Sequence, residues 1–300
     1  MTSTTKIYNT FSILNTKGLA LGLMILLTLL YLAAGIITLI EMTKHLRFFL
    51  ATTAHSQTTK KIRGFRVVIL FISAWFMIHQ GCISMFGFSS NHLYVLFIVA
   101  YAIPFYLQFC SYILLTWLLG IIRYATISNQ KAIKKVLNPI FIVVLIISFG
   151  LLLFSGNYYS NEKMQFVVSG FIFLLLVLFL GTSAYLFYRF ITRLSMSFQS
   201  RSRVKIFMNL IIFNSTLFLL RAIYDFINVG TTKIIDWSTK DDNTFFPFYF
   251  VWMIIFEILP VVVLVLAFHM NISNEMGRKG SLTSINTRYH DIEDDEDESD

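Results

Sequence analysis

Charge is scarce in this chain. Of its 300 residues only 13% are Asp, Glu, Lys or Arg, about half of the roughly 25% typical of soluble domains, while 56% are hydrophobic. No water-soluble globule of this length hides so much apolar surface, which excludes a soluble enzyme, a disordered chain and a fibrous repeat. Cysteine is nearly missing too: Cys82 and Cys110 both fall inside apolar runs, where an extracellular disulfide framework is not expected. With 14 Gly and 4 Pro against 31 Phe, the apolar stretches run on unbroken, unlike the ~10-residue alternating segments of a membrane barrel. There is no P-loop, no Gly-rich dinucleotide fingerprint and no zinc-finger spacing. A metal hydrolase needs three ligands at one depth, and the scattered histidines include no pair four residues apart. No enzyme activity, metal or cofactor is therefore expected.

What the sequence does have is seven long apolar runs, at about 18–40, 67–88, 93–122, 136–155, 166–190, 206–227 and 247–269. Each holds about the 20 residues that a helix needs to cross a hydrocarbon core. The first is too long for a signal-peptide core of roughly 7–15 residues and reads as a retained span. The fold class is all-α, a polytopic membrane protein built as a seven-transmembrane helix bundle. Residues 1–17 form an N-terminal segment, 18–269 the membrane domain and 270–300 a polar tail.

The formal net charge of +8 conceals two opposed features. Eight of the sixteen acids stand in the last ten residues, Asp291 to Asp300, a block that repels itself and reads as disordered. Eighteen Lys and Arg fall in the connections after the first, third and fifth runs and in the tail, against five on the other side (Lys6, Lys17, Lys163, Lys233 and Lys240). By the positive-inside rule the N-terminus is outside or lumenal and the C-terminus cytoplasmic. Bases spread through short loops mark a membrane partner, the bilayer, and not nucleic acid.

A charge at the centre of a membrane helix costs about 2.5–3.5 kcal/mol and so marks a candidate site. Arg221, Asp225 and Glu257 are the three obvious cases, with His79 as a fourth polar candidate. Arg221 and Asp225, four apart, share a helix face. At ~1.5 Å per residue, Arg221 lies roughly 9 Å, Asp225 about 3 Å and Glu257 about 15 Å below the outer boundary. That spacing predicts an interhelical ion pair between Arg221 and Glu257, with Asp225 sharing the guanidinium. Pro260 cannot donate to the Phe256 carbonyl and Pro104 cannot donate to that of Ala100, so a kink is expected at each. Gln80, Gln108, Asn209 and Asn214 read as interhelical hydrogen-bond donors. Gly18-xxx-Gly22 and the small cluster at Gly181 read as sites of close helix packing.

The tail carries Tyr289-His290-Asp291-Ile292, the form of an adaptor-read sorting signal set on Tyr289 and Ile292, and Arg278-x-x-Ser281, which makes Ser281 a candidate phosphosite.

The seven-span plan matches G-protein-coupled receptors, but the third helix ends Ile122-Arg123-Tyr124 with no acid before the arginine, and the seventh lacks Asn-Pro-x-x-Tyr. Phe218-Leu219-Leu220-Arg221, together with Phe256-Glu257-Ile258-Leu259-Pro260 and the apolar stretch after it, instead resembles the tobamovirus multiplication protein family of plants and its animal relatives, the orphan seven-span lysosomal proteins. The resemblance covers the membrane domain. It implies a multi-pass protein of vacuolar, lysosomal or other endomembranes, a scaffold that recruits cytosolic partners such as small GTPases and does not catalyse. A ligand-responsive receptor is the alternative function, and a transporter using Glu257 and His79 the third.

Overall fold

The computed structural model describes residues 8–9, 18–51, 57–87, 89–90, 95, 98–126, 138–157, 162–192, 198–230 and 242–270. Apart from Ala51 and Gly87, which follow helix ends, these residues are helical or belong to a short antiparallel bridge that sets Tyr8 opposite Ser90 and Asn9 opposite Ser89. The helices are α1 (Gly18–Leu50), α2 (Gln57–Phe86), α3 (a π turn at Ile98–Ala102 followed by Ile103–Thr126), α4 (Asn138–Asn157), α5 (Glu162–Thr192) and α6 (Phe198–Gly230). The last, α7, comprises Asp242–Met253, a second π turn at Ile254–Ile258 and helical residues 259–270.

Six of these helices contain stretches long and apolar enough to cross a membrane: Gly18–Leu50, Lys60–Phe86, Ile98–Ile122, Phe166–Phe190, Val204–Val229 and Phe246–Met270. The chain is thus a multi-pass integral membrane protein. The remaining apolar run, expected as the fourth span, is α4, whose apolar part Asn138–Phe154 is shorter than the others.

Several helices outrun the apolar stretches that announce them. Helix α1 continues ten residues past Ile40, and α2 begins ten residues before Val67. Hydropathy registers only the part of a helix that lies in hydrocarbon, while backbone hydrogen bonding carries on through amphipathic sequence beyond it. At ~1.5 Å per residue the 33 residues of α1 reach about 50 Å against a core of ~30 Å. The extensions of α1, α2 and α6 stand at the same end of the bundle, called here the basic end. At the opposite end α2 stops at Gly87, whose φ of 70° closes the helix and whose N–H donates to the Ile83 carbonyl at 2.8 Å.

Large apolar side chains cover much of the exterior, and several polar side chains are buried. Leu29, Ile37, Ile146 and Leu178 are more than half exposed, while Gln108, Asn214 and Asp225 are at most 3% exposed. Helix α3 runs through the centre against α2, α4 and α5, and its Tyr112 and Ile113 are fully buried. Trp117 stacks on Phe141 with centroids 5.6 Å apart and donates from Nε1 to Asn138 Oδ1 at 3.1 Å, which fixes the start of α4 to α3.

Helices α1 and α2 pack tightly at two glycines. A Cβ on Gly81 would meet Leu32 Cδ2 at 2.8 Å, and one on Gly35 would meet Ile78 Cγ1 at 2.9 Å. The contact expected at Gly18 and Gly22 is not formed: a Cβ at either would find nothing within 4 Å. Gly181 does face a neighbour, with Ser215 Oγ 3.8 Å from its would-be Cβ. Gly81→Val should therefore separate α1 from α2 and destabilise the purified protein by about 1–3 kcal/mol, as overpacking does elsewhere. Gly22→Ala should leave the unfolding midpoint unchanged. Equal midpoints for the two variants would refute the assigned contact.

Candidate functional site

Every charged residue picked out within the apolar runs lines one cavity. It has a volume of about 230 Å³ and is bordered by Arg221 and Asp225 of α6, Glu257 of α7, Gln80 of α2 and Gln108 of α3. The hydroxyls of Ser84 and Ser169 and the rings of Phe105 and Tyr249 complete its polar and aromatic wall. Ser84 is two residues from the end of α2 and Phe166 four residues from the start of α5, so the cavity lies toward the end opposite the basic one.

Among the described residues no direct ion pair joins Arg221 to Glu257, and each has its nearest polar partners elsewhere. Arg221 Nε lies 3.7 Å from Asp225 Oδ1, a pair within α6, while Ser169 Oγ donates to Asp225 Oδ2 at 2.7 Å. The guanidinium is packed among Trp252, Phe173 and Phe256, with centroids at 4.6, 5.3 and 5.8 Å. These rings, Phe173 from α5 and Trp252 and Phe256 from α7, attract the cation through their faces. Arg221 Nε is buried without a hydrogen-bond acceptor. Glu257 takes its partners from α1 and α2: Tyr31 donates to Oε2 at 2.5 Å, and Gln80 Nε2 donates to the same oxygen at 3.3 Å.

The two mid-helix prolines shape the cavity by way of the π turns that precede them. Each turn ends two residues before its proline, Ala102 before Pro104 and Ile258 before Pro260. In a π turn the N–H of a residue pairs with the carbonyl five before it, as Leu259 does with Ile254. Proline ends that pattern because it has no N–H, and side chains from other helices supply the missing donors. Gln108 Nε2 donates to the Phe256 carbonyl at 2.8 Å, the group that Pro260 was expected to free. In α3 the carbonyl served is Val99, one residue before the expected Ala100, and its donor is His79 Nε2 at 2.8 Å. His79 thus repairs backbone beside the cavity and does not line it. Residues of both π turns do line it, among them Ala100, Tyr101 and Glu257.

Of the remaining polar candidates, Asn214 donates to the Pro260 carbonyl at 3.2 Å, whereas Asn209 is exposed on the outer surface. Tyr289, Ile292 and Ser281 lie outside the described residues. Among the described residues no cluster of His, Cys, Asp or Glu is arranged to hold a metal ion.

Sequence reasoning missed two features. Tyr31 stood unremarked in the first apolar run, although a hydroxyl at mid-span needs an acceptor. Glu41, one residue past the end assigned to that run, is 3% exposed. At the basic end His269 Nδ1 lies 3.1 Å from both Glu41 carboxylate oxygens, and Lys44 Nζ donates to Oε2 at 3.1 Å. The spacing Glu41, Lys44, His45 on one helical face was the available signal.

The geometry predicts where electrostatic coupling resides. Double-mutant cycles on unfolding free energy should give Arg221 and Asp225 a coupling of about 0.5–3 kcal/mol, larger than that between Arg221 and Glu257. The reverse order would restore the interhelical pair. No protein-family model, no curated protein and no solved structure matches the chain.

Proposed function

We propose that this protein is a seven-span scaffold of a vacuolar, lysosomal or other endomembrane, with its N-terminus lumenal and its C-terminus cytoplasmic, that recruits cytosolic partners without catalysing a reaction. The observation that carries this reading is the collar at the basic end, where α1, α2 and α6 continue beyond the length of a hydrocarbon core. The extensions carry Lys44, Arg47, Lys60, Lys61, Arg63, Arg66 and Lys205 on helical backbone. Arg63 lies 4.3 Å from the centroid of Phe48, and Lys60 lies 5.9 Å from that of Phe49. Such packing lowers the entropy lost when an acidic surface is bound. Each base near an anionic leaflet contributes about 1 kcal/mol. The resemblance to the tobamovirus multiplication protein family supports the compartment and the partner class, small GTPases among them, with sorting adaptors reading Tyr289 and Ile292.

A ligand-responsive receptor is the second reading, supported by the cavity and its buried charges. Guanine-nucleotide exchange on a purified heterotrimeric G protein separates the two, since the scaffold reading expects none.

Proximity labelling from a C-terminal fusion tests recruitment. Replacing Lys60, Lys61 and Lys205 with Gln leaves fifteen of the eighteen bases on that side, so the orientation is retained. Recovery of small GTPases should fall roughly tenfold or more, given about 1 kcal/mol per charge. Unchanged recovery would sink the collar as the recruiting surface.

A further inference from the structure

The cavity carries an imbalance of charge. Among the described residues its one cationic side chain is Arg221, which stands beside Asp225 on the same helix and packs against three aromatic rings. Two carboxylates, Asp225 and Glu257, face this single cation, so the wall carries one carboxylate in excess. Among the described residues the two hydrogen bonds of Glu257 both fall on Oε2 and none falls on Oε1, and the residue lines the cavity. The remaining wall is apolar and aromatic, with Tyr101, Phe105, Phe166 and Tyr249 contributing rings. A surplus carboxylate beside aromatic faces suits an organic cation, since the acid supplies a counter-charge and ring faces attract positive charge. The volume of about 230 Å³ exceeds the ~150 Å³ of a cavity that holds one benzene ring. It admits a ring bearing a short aminoalkyl group.

We propose that this cavity binds a small organic ammonium ion, entering from the end opposite the basic loops, with Glu257 as its counter-ion and Gln80 orienting the carboxylate. The ammonium donates to Oε1 while Tyr31 and Gln80 hold Oε2. No bond is made or broken, and Arg221 with Asp225 forms part of the wall. The proposal stands on the cavity alone and is independent of the collar. It supplies the ligand class that the receptor reading requires.

The test uses the full-length protein in lipid nanodiscs with four probes at matched concentration: benzylammonium chloride, benzyl alcohol, sodium benzoate and sodium chloride. Thermal unfolding and calorimetric titration report binding. Benzylammonium should bind saturably and about tenfold or more tightly than benzyl alcohol, the scale of a charge-assisted hydrogen bond. Glu257→Gln, which removes the counter-charge and keeps an acceptor for Tyr31, should lose that preference. The wild-type series decides the question even where this variant does not fold. Equal binding of the amine and the alcohol, or stabilisation by sodium chloride matching that by the amine, overturns the proposal. A preference for benzoate overturns it in favour of Arg221 as the ligand-binding group.

Discussion

The carboxylate of Glu257, set among hydrocarbon one turn before a proline, is the constraint around which the bundle is organised. An acid at this depth is costly unless donors reach it, and here they come from two other helices, the hydroxyl of Tyr31 on α1 and the amide of Gln80 on α2. The last helix is thereby tied to the first pair. That pair is itself brought close by the missing side chains of Gly35 and Gly81. Gln80 immediately precedes Gly81, so the residue that permits the approach of α1 and the residue that serves Glu257 are neighbours in the chain.

The same accounting of donors and acceptors explains the two π turns. A proline inside a membrane helix leaves carbonyls that no water can reach, and such groups must be satisfied within the protein. Gln108 and His79 do so from neighbouring helices. Both π turns contribute to the wall of one cavity, Ala100 and Tyr101 from the first and Glu257 from the second. The distortions that proline imposes are therefore part of how the cavity is built. Helices α1 and α7 meet again at the basic end, where Glu41 receives His269. One seam thus carries two carboxylates, one from each helix, about 15 Å apart along α1 at ~1.5 Å per residue.

Much of this was legible in the sequence, since a segment immersed in lipid has to be apolar throughout. The helices and the charged minority within them stood out against that background. Arg221, Asp225 and Glu257 were expected together and do border one cavity. Their pairing was not legible, because depth along two helices leaves their rotation unknown. The rings of Trp252, Phe173 and Phe256, which take the guanidinium in place of Glu257, look like ordinary apolar residues in the sequence. The extents of α1, α2 and α6 were underestimated for a related reason: past the lipid boundary the hydrophobic signal fades although the helix continues.

The account depends most on the bond between Tyr31 and Glu257. Its direct measure is the coupling energy between Tyr31→Phe and Glu257→Leu, which removes the acceptor that Gln would keep, from reversible unfolding of the two single variants and the double variant in bicelles. Contacting residues in a hydrogen-bonded network couple by about 0.5–3 kcal/mol, and a value in that range is the predicted result. Additive effects, with coupling indistinguishable from zero, would contradict the placement of α7 against α1 on which the cavity and its proposed ligand both rest.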